Sequence, residues 1–212
     1  MNQIDRLDQT AWAALDAGNY AEAEADARQS VTLGIASGLG QELLAQALYA
    51  QGKDAEALQV YQAIADAGGV FPRNMLPYAL LLLKAGQWAQ AVAAYNKQLP
   101  YLSDGDMMLA HSHFSPDAPQ PQELEAAIHI GLGLTGDFRG NHWNRGVGDP
   151  TASEFRKALA LEPDSALAHY YYGHGLWRVG RKAEAKAAFQ KAAALDQEGK
   201  VKAQAQKEMQ WR

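Results

Sequence analysis

The 212-residue chain has no cysteine, so disulfides and thiolate chemistry are excluded and the redox compartment is left open. It has no basic surplus either. The formal net charge is −5, whereas a nucleic-acid surface normally needs a clustered cationic face. The longest aliphatic run, Leu80 to Leu83, is far too short to span a bilayer. The first residues, MNQIDRLDQTAW, place Asp5 and Asp8 where a secretory signal would need an apolar stretch. The expectation is a cytoplasmic protein with no membrane insertion and no nucleic-acid partner. No G-x-S-x-G, phosphate-binding loop or paired-carboxylate signature occurs, and hydrolase chemistry has no foothold.

What the chain does have is glycine in register. Gly18, Gly52 and Gly86 stand 34 residues apart, each between two amphipathic segments, and Gly180 sits in the same way near the C-terminus. Turn positions of this kind often need a positive φ, which glycine adopts at no steric cost. Small residues keep the same register. Ala11, Ala45, Ala79 and Gly173 precede the turns, and Ala23, Ala57, Ala91 and Ala185 follow them. Such residues let two helices approach closely. Leu48, Leu82 and Leu176, with Tyr61, Tyr95 and Phe189, are the larger residues expected between neighbouring units.

The register breaks after Leu99-Pro100. Residues 101–121 contain Pro116, Pro119 and Pro121 and no helical period, which predicts extended loop with room for a helical turn around Met107 to Ala110. A fourth unit then resumes with ELEAAIHIGLGLTGDF, where Gly136-Asp137-Phe138 imitates the earlier turns. Its second helix, TASEFRKALALEP, carries Thr151, Phe155, Ala158 and Pro163. A glycine-rich loop at 139–150 separates the halves, and long loops in compact proteins are often functional. The last residues, 200–212, are polar at most positions and suit a helix that covers the end of a stack.

The ordering of small, aromatic and turn residues resembles the tetratricopeptide repeat, a helix–turn–helix unit of 34 residues that stacks into a solenoid. The resemblance covers about residues 4–99 and 122–199. It implies an all-α, right-handed α-solenoid of about five repeats (4–37, 38–71, 72–105, 122–165 and 166–199) with a C-terminal capping helix at 200–212. All of this would form one domain, 1–212. The resemblance also implies a concave surface lined by the first helix of each unit. On that face the fifth unit places Tyr170, His174, Trp177 and Arg178, and the third places Leu76, Leu80, Leu83 and Lys84. The second offers Glu42, Gln46 and Tyr49, the first Asp8, Trp12 and Asp16.

Other constellations carry less. Gly131, Gly133 and Gly136 spell G-x-G-x-x-G, but a dinucleotide site needs a strand before them and a helix opening among them. Here an amphipathic helix precedes, so a glycine-rich helix end is the plainer reading. His111, His113 and His142 fall in the two insertions without cysteine or an ordered H-x-x-x-H pair, and polar loop histidines explain them. His169 and His174 are five apart and point to different faces of one helix. No cofactor and no metal are expected.

The function expected is therefore a non-enzymatic scaffold for protein–protein interaction, binding a peptide or helix of a partner. The partner-binding residues would be Tyr170, His174, Trp177, Arg178, Tyr49, Trp12 and Lys84, with Trp143 from the insertion. Leu80 and Leu83 read as packing residues instead. A different class of reading is self-association into a homo-oligomer, and a lesser one is metal or small-ligand binding by the insertions. Chaperone-binding members of the family use a clamp of Lys, Asn, Asn, Lys and Arg. The matching positions here are Asp8, Trp12, Leu43, Arg73 and Pro77, so that clamp is absent.

Overall fold

The structure, a computed structural model, describes residues 2–34, 38–68, 75–98, 117, 120–138, 150–197, 199 and 201–210. Among the described residues it is all-helical, without a strand. The helices are α1 Gln3–Asp16, α2 Tyr20–Leu33, α3 Gly38–Ala50, α4 Asp54–Asp66, α5 Met75–Lys84 and α6 Trp88–Gln98, then α7 Pro121–Phe138, α8 Pro150–Leu161, α9 Ala166–Arg178, α10 Lys182–Leu195 and α11 Lys202–Glu208. They group into two compact units, Met1–Gln87 and Trp88–Arg212. None of the described helices is long and apolar enough to cross a membrane.

In the first unit the turns form where glycine predicts them. Gly18, Gly52 and Gly86 have φ of 78°, 72° and 73°. At each, the next residue donates its N–H back to the carbonyl five residues earlier: Asn19 to Ala14 at 2.8 Å, Lys53 to Leu48 at 3.0 Å and Gln87 to Leu82 at 2.9 Å. The glycine N–H itself reaches the carbonyl three residues back. This pair of bonds satisfies the carbonyls that a helix C-terminus leaves open, and it requires a left-handed residue between them. At the other end of α1, Asn2 and Asp5 cap reciprocally, each side chain accepting from the other's backbone N–H at 2.9–3.0 Å.

α1 packs on α2 and α3, α2 on α3, and α3 on α4. The contact rows are small: Ala11, Ala23, Ala27, Ala45 and Ala57 are wholly inaccessible. Ser30 continues the α2 row, and its hydroxyl donates to the Asp8 carboxylate at 2.5 Å. Asp8 is therefore turned inward and buried, a correction to its placement on an open face. A polar seam ties successive repeats. Glu24 accepts from Lys53 Nζ at 2.6 Å, Gln51 Nε2 at 2.8 Å and Arg28 Nε at 2.8 Å, and Arg28 goes on to Glu56 at 2.7 Å. The Lys53 hydrogen bond is the chief reason that the Glu24 carboxyl is lowered to about 2; burial opposes it, and Arg28 and Gln51 reinforce it.

In the second unit α7 packs on α8, α8 on α9, α9 on α10 and α10 on α11. Phe155 and Phe189 are large buried residues on the second helices of the two hairpins, and each is met by a glycine. A Cβ on Gly133 would lie 2.6 Å from the Phe155 ring, and one on Gly173 would lie 2.7 Å from the Phe189 ring. Gly180 repeats the turn of the first unit, with φ 80° and a bond of 2.9 Å from Arg181 N–H to Leu176 O. α11 is anchored by Asp196, whose carboxylate accepts from Val201 N–H at 2.6 Å and Lys202 N–H at 2.7 Å.

The fourth repeat departs from expectation. α7 begins at Pro121, at the first helical position where a missing N–H costs nothing, and continues unbroken through Gly136 to Phe138. No turn is made at Gly136-Asp137-Phe138. The insertion histidines, Arg73, the suggested turn at Met107 to Ala110 and Trp143 lie outside the described residues.

Candidate partner-binding face

α9 is held in place at its N-terminal end. Ser165 Oγ accepts from Ala168 N–H at 3.3 Å, and His169 Nε2 donates to Pro163 O at 2.9 Å. With the helix so fixed, Gly173 admits the Phe189 ring and His174, one residue on, stands beside it. The His174 ring lies edge-on to Tyr170 at 4.7 Å and to Phe189 at 5.2 Å. Its Nε2 is buried without a hydrogen-bond partner. Burial lowers the imidazole to about 4, so the ring is neutral at ordinary pH.

Tyr170 does not share the open surface predicted for it. Only 6% of it is accessible, and it packs on Tyr171 and Phe189 as well as His174. It backs His174 from the core. Trp177, half-buried and packed on the same core, lines a cleft of about 250 Å³ between the end of α9, the start of α10 and the end of α11. Phe189, Ala183 and Met209 complete its apolar lining, while Lys182, Lys186 and Glu208 supply charge. The Lys182 ammonium sits 5.2 Å from the Trp177 ring centroid, in cation–π range. Burial raises the Glu208 carboxyl, with Lys207 working against it. The side chain of Arg178 is outside the described set.

In the first unit Trp12 on α1 and Tyr49 on α3 are each half-buried. Lys84 is exposed at the end of α5, and its ammonium pairs with Asp54 at 2.8 Å, one more rung of the polar seam. Leu80 is buried, in keeping with the packing role expected of it, and Leu83 is half-buried; Leu76, placed on the concave face, is buried as well.

Two features were not foreseen. His129, buried on α7, shares Nδ1 with Glu154 of α8 at 2.7 Å, and Lys157 closes on the same carboxylate at 2.6 Å. Burial would raise Glu154, but the His129 and Lys157 hydrogen bonds outweigh it and the carboxyl ends up lowered. A signal existed: His129 stands four residues before Gly133, as His169 stands four before Gly173. The second is the lysine pair beside Trp177, which lies on α10, the second helix of its hairpin, and not on a first helix. Among the described residues no group of three or more acidic or histidine side chains could hold a metal.

These helical hairpins, with small residues at their contacts and a glycine Schellman turn at Gly18, Gly52, Gly86 and Gly180, define a repeat protein of the helix–turn–helix class. The family model described as Tetratricopeptide repeat matches residues 9–69 and 146–200, more than half of the chain. The chain belongs to the tetratricopeptide repeat family, whose members serve in general as non-catalytic protein-interaction scaffolds. Among solved structures it is similar to residues 41 to the end of MamA from Desulfovibrio magneticus RS-1, with 16% identity over 92% of this chain and 96% of that one and a TM-score of 0.47. It is similar to YrrB, titled a TPR protein with an unusual peptide-binding site, with 14% identity, 93% and 88% coverage and a TM-score of 0.45. A tetratricopeptide repeat protein from Parabacteroides merdae gives 15% identity, 99% coverage of each chain and a TM-score of 0.44. No curated protein matches the chain in sequence.

Proposed function

We propose that the chain is a scaffold that binds a peptide or helical segment of a partner protein through the first helices of its repeats. One observation carries this reading. Trp12 and His174 each follow the fully packed small residue of their helix, Ala11 and Gly173, and Tyr49 and Trp177 each stand four after theirs, Ala45 and Gly173. All four keep accessible surface while the small residues beside them have little or none. Ring surface recurring in fixed slots is the material of binding hot spots, because a large rigid side chain buries much area at little entropic cost.

The test is capture from lysate with wild type, a Trp12→Ala/Tyr49→Ala variant and a His174→Ala/Trp177→Ala variant. The captured protein is then identified and its affinity for each measured by calorimetry. Binding that weakens in either variant, with the fold intact by circular dichroism, supports the reading. Equal affinity for all three places the interaction elsewhere. A mass that grows with concentration in light scattering, with no partner captured, favours self-association.

A further inference from the structure

We propose that the cleft between α9, α10 and α11 takes an acidic segment of a protein partner, seating one apolar side chain between flanking carboxylates. The inference rests on the scaffold reading above and names the chemistry of the ligand at its C-terminal end.

The cleft lies beside the end of α11, which has seven residues where α9 has thirteen. Along α10, Ala188 and Ala192 are buried, whereas Lys186 and Ala183, nearer the Gly180 turn, are exposed. Trp177, Phe189 and Met209 form a floor that water solvates poorly. Apolar surface of this kind asks for an apolar side chain.

The rim decides the charge. Lys182 and Lys186 are one helical turn apart on the exposed face of α10. Neither is in an ion pair with any described carboxylate: Glu184, the acid between them, is held by two hydrogen bonds from Arg181 at 2.5 and 2.7 Å. Among the described residues, Glu208, on the opposite wall, is the one acid lining the cleft, against two lysines. The wider field has the same sign. Residues 177–212 contain nine Lys or Arg and four Asp or Glu, in a chain whose formal net charge is −5. A partner is thus drawn toward this end by its carboxylates and retained there by an apolar residue. A single-stranded nucleic acid could satisfy the lysines and stack a base on Trp177, but the aliphatic surface of Ala183 and Met209 favours an apolar side chain, and an oligonucleotide probe distinguishes the two.

The experiment measures fluorescence anisotropy with three probes: a short labelled peptide with leucine flanked by glutamates, its counterpart with lysines for the glutamates, and a poly-uridine oligonucleotide. The wild-type chain is compared with Lys182→Glu/Lys186→Glu, two exposed positions whose reversal leaves the core untouched. Wild type is expected to prefer the acidic peptide, the reversed variant to lose it by about ten-fold or more and to gain the basic one, and added salt to weaken both. Equal binding of the acidic peptide by both proteins overturns the proposal, and so does oligonucleotide binding in its place. A partner captured through the first helices while neither peptide binds also overturns it, and leaves the scaffold reading standing.

Discussion

Gly173 and Phe189 are fitted to each other across α9 and α10, with no room for a Cβ: one built on the glycine would lie 2.7 Å from the ring. Gly173→Ala is expected to destabilise the second unit by about 1–3 kcal/mol, because the ring must move against a packed core. Alanine's better helix propensity, about 1 kcal/mol, offsets part of this. Phe189→Ala is expected to cost about 3–5 kcal/mol. In the double-mutant cycle the costs should be less than additive, since removal of the ring frees space for the methyl group. Urea unfolding of the four proteins checks it.

Gly180 needs its glycine for a different reason. Its φ is 80° and nothing lies within 4 Å of where a Cβ would be. Gly180→Ala should therefore cost only the left-handed backbone penalty, about 1–2 kcal/mol. Gly180→Asn should cost less, because asparagine tolerates that region. Thermal unfolding of the two variants separates the conformational effect from the steric one at Gly173.

Ser30 and Asp8 form a buried hydrogen bond of 2.5 Å between α2 and α1. Ser30→Ala would remove the donor and leave the carboxylate with less compensation for its burial, a loss of about 1–3 kcal/mol. Thr at the same position should retain most of the stability. Denaturant titrations of the Ala and Thr variants give the comparison.

Acid should act on the two units in different windows. His174 is lowered from 6.5 to about 4, so between those values the unfolded chain binds a proton that the folded chain does not. Stability is full above pH 6.5 and falls by about 3 kcal/mol as the pH drops to 4. Glu24 is lowered from 4.5 to about 2. Its contribution is present above pH 4.5 and is lost between 4.5 and 2. His174→Gln should flatten the first window and leave the second. Amide exchange resolved by segment, as a function of pH, shows which unit loosens first.

Much of this fold was legible because glycine and alanine obey local rules. A positive φ at Gly18, Gly52, Gly86 and Gly180 follows from a turn that admits little else, and Ala11 or Ala45 is buried because two helices cross there. Gly136 shows the limit. Glycine permits a left-handed turn without demanding one, and α7 runs through it. The face was harder to read. Helical spacing puts Tyr170, His174 and Trp177 on one side of α9, yet it does not say how deep each lies, and Phe189 draws Tyr170 and His174 toward the core while Trp177 lines the cleft. Pairs such as His129–Glu154 join residues 25 apart on different helices, which periodicity within one helix cannot reveal.

The central claim is that a protein partner lies along the first helices, and amide hydrogen exchange with the identified partner bound tests it most directly. Slower exchange is expected in α1 and α3, or in α9, with α2 and α4 little changed. Protection confined to α2 and α4, with α1, α3 and α9 exchanging as in the free chain, would contradict it.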